Sequence, residues 1–241
     1  MNHHFCRVGL GLVLLVGLFA AGCAGRGDAA EPGVMIDHTS QRLLLVSLDE
    51  AVAKRDYAAM VQAMDGAFRG PYRSVVMAGR DYVSALESLA GTAEEKLDPQ
   101  MAQRFRQQAQ RVYSGLFPSP LEGAVKEQGV DWDIVRVLDE GECLAVTVGG
   151  QSTPFDKQYV ICEVKGHWFV APHQKEVPPR QRVSSYKHDA GYTQKNLRRY
   201  IDLTNDLKKK IKSGQINRAN FEQKMSALKA AAAAEETRRQ D

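Results

Sequence analysis

The chain of 241 residues carries 32 Lys and Arg against 29 Asp and Glu, a formal net charge of +3, with 44% apolar residues, 25% charged residues and 4 Cys. These values are typical of a globular protein and exclude a wholly disordered, collagen-like or polytopic membrane chain. The length fits one medium domain or two small ones.

The first 22 residues predict a signal peptide. Arg7 precedes an uncharged run from Val8 to Ala21, which is too short to cross a bilayer and has the length of a signal-peptide hydrophobic region. The run ends in Ala20-Ala21-Gly22-Cys23, which resembles the lipobox of bacterial lipoproteins. An ordinary secretory signal, with Cys23 incidental, is the alternative.

The lipobox resemblance implies where the protein is located. In that family the Cys receives a diacylglycerol, so Cys23 would anchor the mature chain to the membrane of a bacterial cell envelope. Ala24 follows Cys23, and the absence of Asp there favours the outer membrane, facing the periplasm, if the host has two membranes. Residues 23–37, rich in Ala and Gly, then read as a flexible tether.

Four helical stretches come next in the chain. Apolar periodicity predicts helices over residues 40–54, 57–64 and 72–97, and a fourth that begins at Pro99. Asp56 is a cap for the short second helix, and Asp98 before Pro99 is a clear helix start. Gly79 and Gly91 weaken the interior of the third helix and would allow a kink there.

From residue 131 the apolar period changes to two. Candidate strands cover residues 134–138, 143–148, 158–164 and 167–171. Because the connections are short, the four strands predict an antiparallel meander. The expected fold class is α+β, with N-terminal helices packed on the four-stranded sheet over residues 38–175.

Lys54-Arg55-Asp56-Tyr57 lies at the break between the first two helices, and Val164, Gly166 and Trp168 lie at the end of the meander. On these residues the region resembles the nuclear transport factor 2-like superfamily. It implies a cone-like sheet with a pocket, in a group where some members are isomerases or cyclases and many are binding or assembly modules. Two interpretations stay open for four aromatic side chains, which either line this pocket or fill the core. These side chains are Tyr57, Tyr82, Trp132 and Trp168.

The C-terminal part reads as a separate unit. Residues 176–191 contain Pro178-Pro179 and Ser184-Ser185 and predict a linker before two helices in residues 192–236. In the second, Asn217 is the expected cap, flanked by a hydrophobic staple of Ile216 and Phe221. The run from Gly214 to Leu228 resembles the short C-terminal domain (SHOCT) family, with Asn217 for Thr or Ser and Asn220 for Glu. The resemblance implies a helical hairpin that acts in assembly.

Cys143 and Cys162 remain after processing. They would be direct cross-strand partners if the turn were centred between Ser152 and Thr153. The pattern places Cys143 on the outer face of its strand and Val160, Cys162 and Val164 on the core face of theirs. A disulfide therefore needs a one-residue bulge, and the pattern favours two buried thiols.

The charge is distributed unevenly. Residues 180–241 hold 15 Lys and Arg against 7 Asp and Glu, whereas residues 1–179 hold 17 against 22. A solvated helix face and a contact with an anionic envelope polymer or protein both fit this pattern, while nucleic acid is not expected outside the cell. The candidate contact residues are Arg198, Arg199, Lys208, Lys209, Lys210 and Lys212.

No sequence motif specifies a reaction. The chain has no nucleotide-binding loop, no HExxH and no paired Cys or His ligands, so no metal or cofactor is expected. The leading hypothesis is a lipid-anchored, non-enzymatic binding or assembly module that uses its basic C-terminal helices for docking or self-association. The alternatives are a carrier of a small apolar ligand and a cone-fold enzyme with Asp131, Asp133 or His167 as its base.

Overall fold

The computed structural model describes residues 33–126, 129–140 and 143–226. The predicted signal peptide, Cys23 and most of the predicted tether lie outside the described residues. The α+β fold class is confirmed. Five helices are named within the described ranges: α1 (Gln41–Ala53), α2 (Tyr57–Ala63), α3 (Gly66–Lys96), α4 (Pro99–Leu116) and α5 (Pro179–Lys212).

Side-chain caps begin the N-terminal helices where the sequence places them. The Oδ1 atom of Asp56 accepts the Ala59 N–H at 3.0 Å, and that of Asp98 accepts the Met101 N–H at 2.9 Å. These bonds satisfy amide groups that a first helical turn leaves without partners. The predicted starts of α2 and α4 are therefore confirmed.

Helix α3 is longer than the sequence indicates. It begins at Gly66 instead of residue 72, because Asp65 caps it by accepting the Ala67 N–H at 2.7 Å. Pro71 lies inside the helix near its start. Gly79 and Gly91, where the sequence would allow a kink, both lie within the single helix α3. At Gly79 a Cβ atom would lie 2.9 Å from the ring of Phe117, so the glycine allows the end of α4 to approach closely.

The sheet is an antiparallel meander, as predicted, with one short extra strand. The strands in the described residues are β1 (Val125–Lys126), β2 (Gly129–Val130), β3 (Val135–Glu140), β4 (Cys143–Val148), β5 (Gln151–Ser152), β6 (Tyr159–Val164) and β7 (His167–Pro172). The order in the sheet is β3-β4-β6-β7, and β5 pairs with β4. Gly149 and Gly150, with φ of 60° and 76°, turn β4 directly into β5, which is the geometry of a tight hairpin.

The main core lies between the helices and one face of this sheet. Val146, Ile161 and Val170 are its buried strand residues, and Leu44, Leu45 and Met60 are among the helical ones. The expectation that Val160, Cys162 and Val164 face this core is wrong. Val160 and Cys162 are buried in a small cluster with Ala171, against Phe68 and Cys143, and Val164 is 37% exposed.

The linker predicted at residues 176–191 is wrong, because α5 begins at Pro179 and runs without interruption for 34 residues. Pro179 occupies the first helical position, where its missing N–H costs nothing. Tertiary contacts hold the segment: the ring of Tyr186 lies edge-on to Phe68 at 5.6 Å, and Ala190 is buried. The C-terminal segment is consequently not a separate unit, since Leu197 belongs to the main core.

The chain turns back after α5 through a capped helix start. Asn217 Oδ1 accepts the N–H groups of Ala219 and Asn220, and Asn220 Oδ1 accepts the Asn217 N–H at 2.8 Å. Asn220 thus takes the reciprocal role that Glu has in a capping box. Residues 221–226 are helical. The staple residues Ile216 and Phe221 are buried beside Leu89, and the remainder of the predicted hairpin lies outside the described residues.

Candidate functional site

Cys143 and Cys162 form a disulfide that joins β4 to β6. They are directly opposite in the register, with their Cα atoms 4.4 Å apart. No bulge is needed, because both residues face the side of the sheet away from the main core. The apolar pattern of β6 favoured thiols because it predicts Cys162 on the core face, whereas Cys162 lies on the opposite face with Val160 and Ala171.

Residues of the main core within the described part of the chain line a small cavity. Its volume is about 10 Å³, at the lower limit for a single water molecule. Apolar side chains line most of it, with Tyr72 and Tyr159. These two tyrosines are hydrogen-bonded to each other, and burial raises the pKa of Tyr72 well above its usual value and that of Tyr159 to about 12. Both phenols are therefore neutral at physiological pH.

None of the four aromatic residues predicted as pocket lining borders this cavity. Tyr57 packs edge-on to Phe117 at 5.5 Å, and Tyr82 is buried. Trp132 and Trp168 pack against the main core. The structure places all four in or against the core, which is the second of the two readings left open by the sequence.

The three residues considered as a catalytic base also lie away from the cavity. Asp131 forms an ion pair with Lys126, and a hydrogen bond from Lys126 lowers the pKa of its carboxyl group. Asp133 and His167 are exposed. A lowered pKa at a carboxylate opposes general-base chemistry near neutral pH, and among the described residues Asp131, Asp133 and His167 do not line the cavity.

The six basic residues predicted as an anionic contact do not act as one group. The Nζ atom of Lys208 donates to Ser88 Oγ at 2.6 Å, and Lys210 forms an ion pair with Asp206 at 2.6 Å. Arg199 is half-buried. The other three are exposed along α5: Arg198, Lys209 and Lys212.

Three further cations share the outer side of α5 with them. We define the basic face by the residues whose spacings of 3, 7, 8 and 11 place them on one side of a helix: Arg180, Lys187, Lys195, Arg198, Lys209 and Lys212. All six are exposed, and none forms an ion pair with another described residue. The sequence did not indicate Arg180 and Lys187 as contact residues, because residues 176–191 were predicted to be a linker.

Two acids lie on this face, Asp202 and Asp206, and Asp206 forms an ion pair with Lys210. The opposite side of α5 packs inward through Ala190, Leu197, Thr204, Leu207 and Ile211, which are buried. The basic face therefore presents six cations and two carboxylates to the solvent on a supported surface.

The described residues contain neither a candidate metal site nor a candidate membrane-spanning helix. Within residues 33–126, 129–140 and 143–226, no group of three or more His, Cys, Asp or Glu side chains is arranged to hold a metal ion. No helix in the same ranges is both long enough and apolar enough to span a bilayer.

Comparisons with known proteins return no relative. The chain matches no protein-family model, no curated protein sequence and no solved structure. The resemblances to the nuclear transport factor 2-like superfamily, to the SHOCT family and to the lipobox therefore stay predictions from the sequence.

Proposed function

We propose that this protein is a lipid-anchored, non-enzymatic module of a bacterial cell envelope that docks through helix α5 onto an anionic partner. The observation that carries the docking proposal is the basic face, which has six exposed cations and two carboxylates, one of them paired with Lys210. Cations held on one side of a rigid element attract anionic surfaces without needing a pocket.

The anchoring half of the proposal rests on the sequence. The short uncharged run before Ala20-Ala21-Gly22-Cys23 has the features of a lipoprotein signal. Two acyl chains at Cys23 would hold the protein on a membrane where a single chain gives only reversible binding. Outer-membrane placement, facing the periplasm, follows from Ala24 if the host has two membranes.

The described residues give less support to the two alternatives, an enzyme and a carrier of a small ligand. A cavity of about 10 Å³ is far below the several hundred cubic ångströms typical of small-molecule sites. Asp131, Asp133 and His167 do not line it. A module that acts through its outer surface needs no larger cavity than this one.

Labelling with a radioactive fatty acid tests the anchor. We expect the label to enter the full-length protein in bacterial cells and to be lost in Cys23→Ala, because Cys23 is the acceptor that the lipobox resemblance implies. The Cys6→Ala variant is the matched control and should be labelled like the original. Equal labelling of the Cys23→Ala variant, or none in either protein, would exclude lipidation at this residue.

A further inference from the structure

We propose that the basic face of α5 lies along the surface of an anionic phospholipid bilayer. This inference rests on the docking half of the proposed function and names its partner. It concerns a second contact with the membrane, made by the folded chain and separate from any acyl group on Cys23.

The length and alignment of the cations suit a flat partner. Helix α5 has 34 residues and is about 50 Å long. Arg180 is near its first turn and Lys212 is its last residue, so the charged side chains span nearly the whole helix on one side. A plane of head groups can touch all of them at once, whereas a small anion or a short peptide meets only one or two.

An exposed apolar side chain lies among the cations. Val183 is 41% exposed and lies three residues after Arg180 and four before Lys187, hence on the same side of the helix. Tyr192 lies about half a turn round the helix from Val183 and borders the basic face only beside Lys195. An apolar side chain between two cations favours a bilayer interface over a soluble polyanion.

The contact would not require the helix to rearrange. On its inner side the ring of Tyr200 stacks on Tyr82 at 5.7 Å, and Leu207 and Ile211 are buried beside Phe221. Because α5 is already packed in the folded protein, binding through its cations does not require the helix to become ordered and loses no conformational entropy for that step. Each Lys or Arg near an anionic surface then adds attraction that salt screens.

Vesicle binding of a chain that begins at residue 24, without the predicted signal peptide and without the acyl acceptor Cys23, tests the proposal. We expect partitioning onto vesicles of equal phosphatidylglycerol and phosphatidylcholine, little onto pure phosphatidylcholine, and a strong decrease as salt rises. Reversing three cations, in the triple variant Lys195→Glu, Arg198→Glu and Lys209→Glu, should weaken partitioning by about 100-fold or more.

The matched control reverses three exposed cations elsewhere, in Arg73→Glu, Arg136→Glu and Lys157→Glu, and should retain most of the binding. Circular dichroism should show the same helix content in all proteins. An equal loss in both triple variants, binding unaffected by the α5 changes, or capture by soluble polyphosphate without binding to vesicles would overturn the proposal. Fatty-acid labelling is independent of this result, so failure of the anchor and failure of the bilayer contact are distinguishable.

Discussion

Two glycines of α3 show how single residues are constrained by their neighbours. Both interrupt an otherwise apolar helical pattern, and intrinsic propensity treats them alike. In the structure a Cβ atom at Gly79 would lie 2.9 Å from the ring of Phe117 and 3.0 Å from Leu116, while one at Gly91 would meet nothing within 4 Å. Phe117 is 3% exposed, so its ring has little room to move.

Replacing each glycine by alanine should therefore change stability in opposite directions. Gly91→Ala should stabilise the protein by up to about 1 kcal/mol, because alanine is the better helix former. Gly79→Ala should destabilise it by about 1 kcal/mol, since overpacking at Phe117 exceeds the gain in propensity. Denaturant unfolding of the two variants provides the measurement. Equal stabilisation by both would contradict the close approach of α4 to α3.

The disulfide acts at the scale of the strands that it joins. Cys143 and Cys162 are 19 residues apart in the chain, and the segment between them contains β5 and its turn. A link that closes a loop of this length restricts the unfolded chain and so favours the folded one. It also fixes β4 against β6, where the direct register has only two residue pairs.

The double variant Cys143→Ala, Cys162→Ala should lose about 3 kcal/mol of unfolding free energy, as expected for a loop of about 20 residues. Reductant should lower the stability of the original protein and leave that of the double variant unchanged, which is the internal control. Denaturation with and without reductant measures both effects. No response of the original protein to reductant under denaturing conditions would show that the two thiols are not linked.

At the scale of the whole molecule, α5 completes the fold as well as presenting charge. Its inner side covers α3, where Tyr82 meets Tyr200 and Leu89 meets Leu207. The turn after α5 adds contacts between Phe221 and Phe105 and an ion pair between Arg104 and Glu222. Residues 38–175 therefore lack a cover for one side of α3 when the C-terminal helices are absent.

A chain that ends at residue 175 should accordingly fail to fold cooperatively, because deleting α5 exposes apolar residues of α3 to water. A chain that ends at residue 226 retains every described contact and is the matched control. Thermal unfolding and dye binding to exposed apolar surface measure the difference. A sharp unfolding transition of the shorter chain, like that of the control, would restore the two-domain prediction.

The sequence by itself determined the elements whose signals are local. The caps at Asp56, Asp98 and Asn217, the staple of Ile216 and Phe221, and the four main strands depend on neighbouring residues and on apolar period. The α+β class followed from their order along the chain.

Only the tertiary structure decided which faces meet. The sheet has apolar residues on both faces, so alternation could not show that Ile161 enters the main core and Cys162 pairs behind it. Likewise, two prolines and two serines predicted a linker at residues 176–191, but packing on Phe68 and α3 makes that segment helical. The full basic face depends on this long-range packing, because Arg180 and Lys187 join its other four cations only when the helix begins at Pro179.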